Sequence, residues 1–205
     1  MVNGMTDIAI LDRRAVEVSQ TIVDQVDVAQ LDLPTPCAEW NLGQLLAHMI
    51  GQHYGFAASA RGESSDLTIF QPRPLGADPA KDYAESVATL TAAFAEEGIL
   101  GRKFWLPEIR DGGPFAAPLG ISFHFVDYVV HAWDVAAAIG VPVAFDEDLL
   151  QAALRIAEMV PNGPERRDPG AAFRPAKMPE AGASTLDRII ILLGRSPDWP
   201  DEAGA

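Results

Sequence analysis

Apolar residues recur along most of this chain at spacings of three and four, which is the rhythm of an amphipathic helix. Near the N-terminus, Ile8, Leu11 and Ile22 follow this rhythm, with Asp and Arg side chains between them. No series of strands with a period of two is apparent, and no glycine-rich loop joins a strand to a helix. The pattern predicts helices over residues 5–26, 42–60, 80–97, 121–140 and 147–160, and a last helix from Ser184 to Gly194.

Residues that suit helix ends support these limits. Asn41 is followed three positions later by Gln44, which is the pattern of a capping box. Ser184 and Asp187 have the same spacing at the start of the last helix. Asp146 occupies the N-cap position of the fifth helix. These signals predict where the helices begin more sharply than the apolar rhythm does.

The segments between the helices are polar and rich in Pro and Gly, so they are predicted to be loops. The longest is an irregular connection at 161–183, and residues 195–205 form a tail. Residues 102–108 are too short for a helix and could be extended, and the segment 111–120 is predicted to be a loop that leads into the fourth helix. The whole chain, 1–205, is therefore predicted to be a single all-α helical bundle.

Composition excludes several classes of partner. The net charge is −14, from 15 basic and 29 acidic residues, which disfavours nucleic acid and anionic membranes. The single cysteine, Cys37, excludes an internal disulfide and a multi-cysteine zinc site. The apolar runs are too short to cross a bilayer and no signal peptide pattern is apparent, so a cytoplasmic location is predicted.

Candidate chemistry lies on the fourth predicted helix. Asp127 and His131 are four residues apart, so both side chains leave one face of the helix, one turn apart. A carboxylate and an imidazole in this arrangement can hold a divalent metal, and a third ligand from a neighbouring helix would leave coordination positions open. His48, on the second helix, is the candidate for that third ligand. His124, three residues before Asp127, is the candidate catalytic residue, as a fourth ligand, an orienting partner or a proton shuttle.

Each of these residues also has a structural interpretation. A lone buried histidine such as His48 is usually a hydrogen-bonded core residue, and an Asp and a His four apart often form a surface pair. Asp134 and His53 are weaker candidates for residues that orient a metal ligand. Arg195 follows a helix C-terminus, where a cation is expected in any case.

The chain resembles the actinobacterial DinB-like family related to the metal-binding domain of mycothiol-dependent maleylpyruvate isomerase. Three blocks carry the resemblance, PTPCAEWNLGQLLAHMIG, DYVVHAWDVAAAIG and LLGRSPDW, and they run from Pro34 to Trp199. The resemblance implies a DinB-like four-helix bundle, here with additional C-terminal helices, and a divalent metal held by three side chains at one end of the core. The family's ligand pattern falls on His48, Asp127 and His131.

The resemblance further implies a metal-dependent thiol transferase or isomerase with a small-molecule substrate and with mycothiol as cosubstrate, although it leaves open whether the chain is an enzyme. Zinc is the first expectation because it holds a thiolate well, and nickel or iron also suits two histidines and a carboxylate. The isomerase relatives carry glutamate where this chain has Asp127, and they have a C-terminal α/β domain of which this sequence shows little sign. The alternative is a non-catalytic bundle that binds a small molecule or a partner and retains a vestigial metal site. A homodimer is a further hypothesis.

Overall fold

The structure is a computed structural model that describes residues 7–37, 39–63, 66–109, 112–168 and 170–200. Within these residues it contains six α-helices and one two-stranded antiparallel sheet. The elements are α1 (Ile8–Val23), α2 (Leu42–Arg61), α3 (Pro79–Phe94), β1 (Lys103–Trp105), β2 (Pro114–Ala116), α4 (Ala117–Ile139), α5 (Glu147–Ala157) and α6 (Thr185–Leu192).

The first four helices form a bundle, in which α1 packs mainly along α4 and α2 along α3. Helices α2 and α4 run in opposite directions, because His48 lies against His131 while His53, further along α2, lies against His124, which comes earlier in α4. This antiparallel pairing brings side chains from two distant parts of the sequence to the same level of the bundle.

The core has two parts. The larger part lies among the four bundle helices and includes Leu45, Met49 and Leu90, which are all fully buried. The smaller part lies where α5 and α6 pack over α1 and α4, with Val129 and Ile189 at its centre. Burial of these apolar stripes is the main force that holds the helices together. The predicted fold class, an all-α DinB-like bundle with additional C-terminal helices, is confirmed.

Two of the predicted caps have the expected hydrogen bonds and one does not. Asn41 and Gln44 form a reciprocal capping box at the start of α2, and Ser184 and Asp187 form another at the start of α6. Asp146 occupies the N-cap position of α5, but its side chain makes no capping hydrogen bond there. Its carboxylate instead lies 2.6 Å from an Nη2 atom of Arg14. The position was predicted correctly, and the role of the side chain was not.

The region before α4 differs from the prediction. The helix begins at Ala117 rather than at 121, and β2 occupies part of the segment predicted to be a loop. Pro118 is tolerated because the first turn of a helix needs no backbone donor. A three-residue strand is too short to show periodicity, so β2 becomes apparent only through its pairing with β1, which lies in the segment expected to be extended.

The connection predicted at 161–183 contains one short 3-10 turn, Pro164–Arg167, and is held against the bundle by Arg166. The guanidinium of this residue donates to the carbonyls of Pro161 and Leu192, at 2.7 and 2.8 Å, and the residue is 4% exposed. A buried cation with several carbonyl partners fixes the path of a segment that has little regular structure. No helix in the described part of the chain has both the length and the apolar composition needed to cross a membrane.

Candidate metal centre

Three side chains converge at one end of the bundle, where α2 begins and the second half of α4 passes. His48, Asp127 and His131 each offer a ligand atom, and these atoms all lie within 4.8 Å of one another. Nε2 of His131 is 3.4 Å from Oδ2 of Asp127. We call these three residues the outer cluster. In the described residues it is the one group of three or more His, Cys, Asp or Glu side chains with this spacing.

His48 is available as a neutral ligand. Burial and, to a smaller extent, the neighbouring His131 lower its pKa to about 4, although Asp127 acts in the opposite direction. The ring lies against Trp40, with 4.4 Å between the two ring centroids. A neutral imidazole held by packing presents a nitrogen lone pair at neutral pH, which metal binding requires.

His131 is oriented by a second carboxylate on its own helix. Its Nδ1 atom lies 3.0 Å from Oδ2 of Asp134, which is fully buried. A carboxylate at this distance accepts the Nδ1 hydrogen and leaves the Nε2 lone pair directed toward Asp127. Burial alone would raise the pKa of Asp134, but Arg195 and the hydrogen bond from His131 bring it below its ordinary value. Asp134 therefore stays a carboxylate and fixes the tautomer of His131.

Arg195 completes this chain of contacts. Its Nη2 atom lies 2.9 Å from Oδ2 of Asp134, and the residue is only 5% exposed. Arg195 does contact the end of α6, because its Nη1 donates to the carbonyl of Leu193 at 3.0 Å, and it is in addition the ion-pair partner of Asp134. The sequence placed this arginine in the LLGRSPDW block, but its partner lies 61 residues earlier on α4. The motif alone carried no signal of that contact.

The chemistry of the outer cluster fits a divalent metal. Two imidazoles and one carboxylate form a donor set that zinc, nickel and iron accept, and three ligands leave positions for substrate. The side chain of Asp127 is 23% exposed, so the open side of the cluster faces solvent. The fixed Nδ1 contact of His131 is the support that metal-binding histidines usually have.

His124 lies outside the outer cluster, although it was predicted to share the face of Asp127. Its Nδ1 atom is 2.6 Å from Oδ1 of Asp12 on α1, and the residue is 1% exposed. His53, a predicted orienting residue, is also elsewhere, with Nδ1 2.7 Å from Oγ of Ser86 on α3. We call His53 and His124 the inner pair. A catalytic role for His124 stays a prediction, and the contacts of the structure connect it with Asp12.

Two polar residues near the outer cluster were not singled out by sequence reasoning as site residues. Gln52 lies one helical turn after His48, and its Nε2 atom donates to Oε2 of Glu108 at 2.7 Å. Glu108 comes from the segment between β1 and β2, so the hairpin brings a carboxylate toward this end of the bundle. The spacing of Gln52 from His48 was visible in the sequence, but Glu108 had no local signal.

Cys37 lies beside the same end of the bundle, in the loop before α2. Burial raises the pKa of this thiol to about 11, and Arg195 only partly offsets the effect. The thiolate rather than the thiol is the nucleophile, so a raised pKa disfavours a nucleophilic role for Cys37 at neutral pH. This agrees with its interpretation as a structural thiol.

The chain is similar to proteins of one family. The model of the mycothiol maleylpyruvate isomerase N-terminal domain family matches residues 13–136. The chain is also 30% identical over 184 residues to the uncharacterized proteins MT0763 and Rv0738 of Mycobacterium tuberculosis, strains CDC 1551 / Oshkosh and ATCC 25618 / H37Rv. Each alignment covers 90% of this chain and 95% of the relative.

Solved structures agree on the fold. The crystal structure of the mycothiol-dependent maleylpyruvate isomerase superposes with a TM-score of 0.55 at 16% identity, and a histidine-to-alanine mutant of it does so at 15% identity. The match covers 73% of this chain and 66% of the isomerase, so the chain spans slightly less than two thirds of that enzyme's length. At this identity the likeness establishes the fold of the bundle.

Proposed function

Because the chain belongs to the mycothiol maleylpyruvate isomerase N-terminal domain family, we propose that it binds a divalent metal through His48, Asp127 and His131 and acts as a thiol-dependent transferase or isomerase. Mycothiol is the proposed cosubstrate, and zinc is the proposed metal, with nickel or iron as alternatives. Metal analysis of the purified protein distinguishes these three ions.

The observation that carries this proposal is the convergence of three ligand atoms within 4.8 Å. The family match alone ends at residue 136 and does not include Arg195, which supports His131 through Asp134. The ion pair connects the LLGRSPDW block, which also resembles the family, with the proposed ligand His131. Burying the carboxylate that fixes the tautomer of His131 costs desolvation free energy, which favours a functional role for the arrangement.

Each residue of the site would have a separate role in such a reaction. Asp127 reduces the positive charge of the site and faces solvent, where substrates enter. Trp40 packs against the His48 ring and keeps water from one side of it. A divalent metal held by these ligands would lower the pKa of a thiol, which makes the thiol a nucleophile at neutral pH.

The first experiment measures metal content after purification without chelators, in the parent protein and in the His48→Ala and His131→Ala variants. We expect one metal ion per chain in the parent protein and almost none in either variant. A matched control is Glu85→Ala, since this carboxylate lies on the exposed face of α3. Stoichiometric metal that survives both histidine substitutions would reject this site.

The second experiment tests the reaction. The metal-loaded protein is incubated with mycothiol and a panel of electrophiles that includes maleylpyruvate and an alkyl halide, and both free thiol and products are measured. We expect turnover of at least one electrophile that disappears after chelation and returns with zinc. Turnover that is insensitive to chelation would contradict a metal-dependent reaction.

The alternative is a non-catalytic bundle with a vestigial site, and the shorter reach of Asp127 compared with glutamate favours it. Thermal unfolding with and without zinc separates the two proposals, because a ligand at ~100 times its dissociation constant stabilises a protein by ~2.7 kcal/mol. A large rise in the melting temperature supports the metal-binding protein. No change, together with an absence of bound metal, supports the vestigial site.

A further inference from the structure

Each imidazole of the inner pair has one ring nitrogen without a hydrogen-bond partner. Nε2 of His53 and Nε2 of His124 are both buried without one, within the part of the chain that the structure describes. The two ring centroids are 5.6 Å apart. Buried polar atoms are nearly always hydrogen-bonded, so two such atoms on neighbouring rings require a common explanation.

The hydrogen on His53 can be assigned from its contacts. Its Nδ1 atom lies 2.7 Å from Oγ of Ser86, and that hydroxyl donates to the carbonyl of Tyr83, also at 2.7 Å. The carbonyl can only accept, so the single hydroxyl hydrogen of Ser86 is already used and its oxygen accepts from His53. Burial lowers the pKa of His53 well below its ordinary value, so the ring is neutral. Nε2 of His53 therefore carries a lone pair and is a hydrogen-bond acceptor without a donor.

The hydrogen count on His124 follows from its partner. Its Nδ1 atom lies 2.6 Å from Oδ1 of Asp12, and one hydrogen lies between them. If the dyad of Asp12 and His124 is neutral overall, it is either a carboxylate with an imidazolium or a carboxylic acid with an imidazole. In both forms Nε2 of His124 carries a hydrogen. The remaining form places a net negative charge in the core, and burial disfavours it.

The two tyrosines whose rings contact the inner pair, Tyr83 and Tyr128, are neutral and hydrogen-bonded. Burial raises the pKa of Tyr83 and of Tyr128. The hydroxyl of Tyr83 shares a hydrogen bond of 2.7 Å with Ser19, and that of Tyr128 donates to the carbonyl of Met49. Neither tyrosine supplies a charge that would compensate a lone Asp12 carboxylate.

We propose that one water molecule lies between the two rings, where it accepts the Nε2 hydrogen of His124 and donates to Nε2 of His53. This water closes a hydrogen-bonded relay that runs from Asp12 through His124, His53 and Ser86 to the carbonyl of Tyr83. Each of the four bundle helices contributes to it: α1 by Asp12, α4 by His124, α2 by His53 and α3 by Ser86 and Tyr83.

The relay positions the outer cluster. His53 is five residues from His48 on α2, and His124 is two helical turns from His131 on α4. Fixing the level at which His53 meets His124 therefore fixes the level at which His48 meets His131. Tyr128 reinforces this register, because its ring stacks on both imidazoles, at 4.5 and 4.0 Å between centroids. These are positioning residues, and this part of the inference rests on the proposed metal site.

Asp12, at one end of the relay, is only 1% exposed. Asp12 contributes to the lining of a cavity of about 430 Å³, together with Phe94 and Leu100, at the N-terminal end of α1. Asp12 therefore borders this cavity, while the relay itself stays buried.

The first test is independent of any metal and of any variant. The protein has four histidines, so ¹⁵N-histidine labelling gives a spectrum in which every ring nitrogen can be assigned. We expect a protonated, pyrrole-type Nε2 on His124 and an unprotonated, pyridine-type Nε2 on His53 at neutral pH. The spectrum is expected to be the same for these two residues with and without zinc. An unprotonated Nε2 on His124, or a zinc-induced shift there, would overturn the proposal.

The positioning role is tested with substitutions at His53. Phenylalanine keeps the ring and removes the acceptor, so His53→Phe should weaken zinc binding about tenfold, as loss of a supporting contact does. Glutamine can accept a hydrogen from the bridging water, so His53→Gln should restore most of the affinity. The hydrogen on Nε2 of His124 should exchange rapidly with water in the phenylalanine variant and slowly in the glutamine variant.

The matched control is Val87→Ala, which truncates a buried side chain of α3 outside the relay. If this variant weakens zinc binding as much as His53→Phe does, the effect is one of general stability and the positioning role is rejected. Absence of zinc binding in the parent protein would reject the proposed function. The nitrogen spectrum would still test the hydrogen bonding of His53 and His124, because it does not depend on zinc.

Discussion

The four histidines of the chain form two pairs on the same two helices, one at the edge of the bundle and one at its centre. At the edge, His48 and His131 meet Asp127, whose side chain is 23% exposed. At the centre, His53 and His124 are 0% and 1% exposed and contact Ser86 and Asp12. Each pair thus combines two imidazoles with one carboxylate, and only the outer combination opens to solvent.

The candidate metal site and the structural polar contact contain the same residue types. They differ in the groups that their side chains contact and in their exposure to solvent. In both pairs the Nδ1 atom of the α4 histidine is held by a buried carboxylate, Asp134 for His131 and Asp12 for His124. The two carboxylates differ in charge compensation. Asp134 has Arg195 as an ion-pair partner, whereas Asp12 depends on His124 itself.

The largest effect is expected from Asp12→Ala. Removing one partner of a buried pair costs ~3–5 kcal/mol because the remaining group is left unpaired. Denaturant unfolding of the metal-free protein measures the change. The matched variant is Asp127→Ala, which should cost ~1 kcal/mol or less because its carboxylate lies near solvent. Equal losses of unfolding free energy in the two variants would show that the carboxylates of the inner pair and the outer cluster contribute alike to stability.

Asp134→Asn should lower metal affinity, and it should also lower stability because it leaves Arg195 as a buried cation without its carboxylate partner. The amide cannot hold the Nδ1 hydrogen of His131 as a carboxylate does, so zinc binding should weaken ~10–100-fold. Competition with a chromogenic chelator measures the affinity. Asp12→Asn is the comparison, since it alters the corresponding carboxylate of the inner pair. A larger loss of zinc affinity in Asp12→Asn would contradict the assignment of the two carboxylates.

The inner pair also predicts a pH dependence of stability. The pKa of His53 is lowered by burial, so below pH ~6.5 the unfolded chain takes up a proton that the folded chain does not. Stability is therefore retained above pH ~6.5 and falls as the pH is lowered below that value, by at most ~1.4 kcal/mol per pH unit for this residue.

Urea unfolding of the metal-free protein between about pH 7.5 and about pH 5.5 measures this slope. In His53→Gln the unfolding free energy should depend less steeply on pH, by an amount that corresponds to at most one proton, because glutamine does not titrate. An unchanged slope would mean that His53 takes up its proton in the folded state as well.

The smallest effect is expected from Asp127→Glu. The longer side chain reaches further from α4 and can shorten the spacing of the three ligand atoms, so zinc affinity should rise by up to about tenfold, or ~1.4 kcal/mol. Folding stability should stay within ~0.5 kcal/mol of the parent protein, as for most surface substitutions. Calorimetric titration with zinc checks the first value. A loss of affinity would show that aspartate already has the better length here.

Most of the fold followed from the sequence, because helix formation and capping depend on neighbours a few residues away. The apolar rhythm predicted all six helices, and the pairs Asn41 with Gln44 and Ser184 with Asp187 marked two of their starts. The strand β2 did not follow, since three residues carry no periodicity and the pairing partner in β1 is needed to define it.

The convergence of His48, Asp127 and His131 also followed from spacing and resemblance, because Asp127 and His131 are one helical turn apart, and their role as metal ligands stays a prediction. The groups that these residues contact became apparent only from the way the helices pack. His124 has the same helical phase as a ligand, yet it meets Asp12 from α1, and Arg195 meets Asp134 across 61 residues of sequence. Such contacts depend on how four helices pack together, and packing is a property of the whole core that no local pattern encodes.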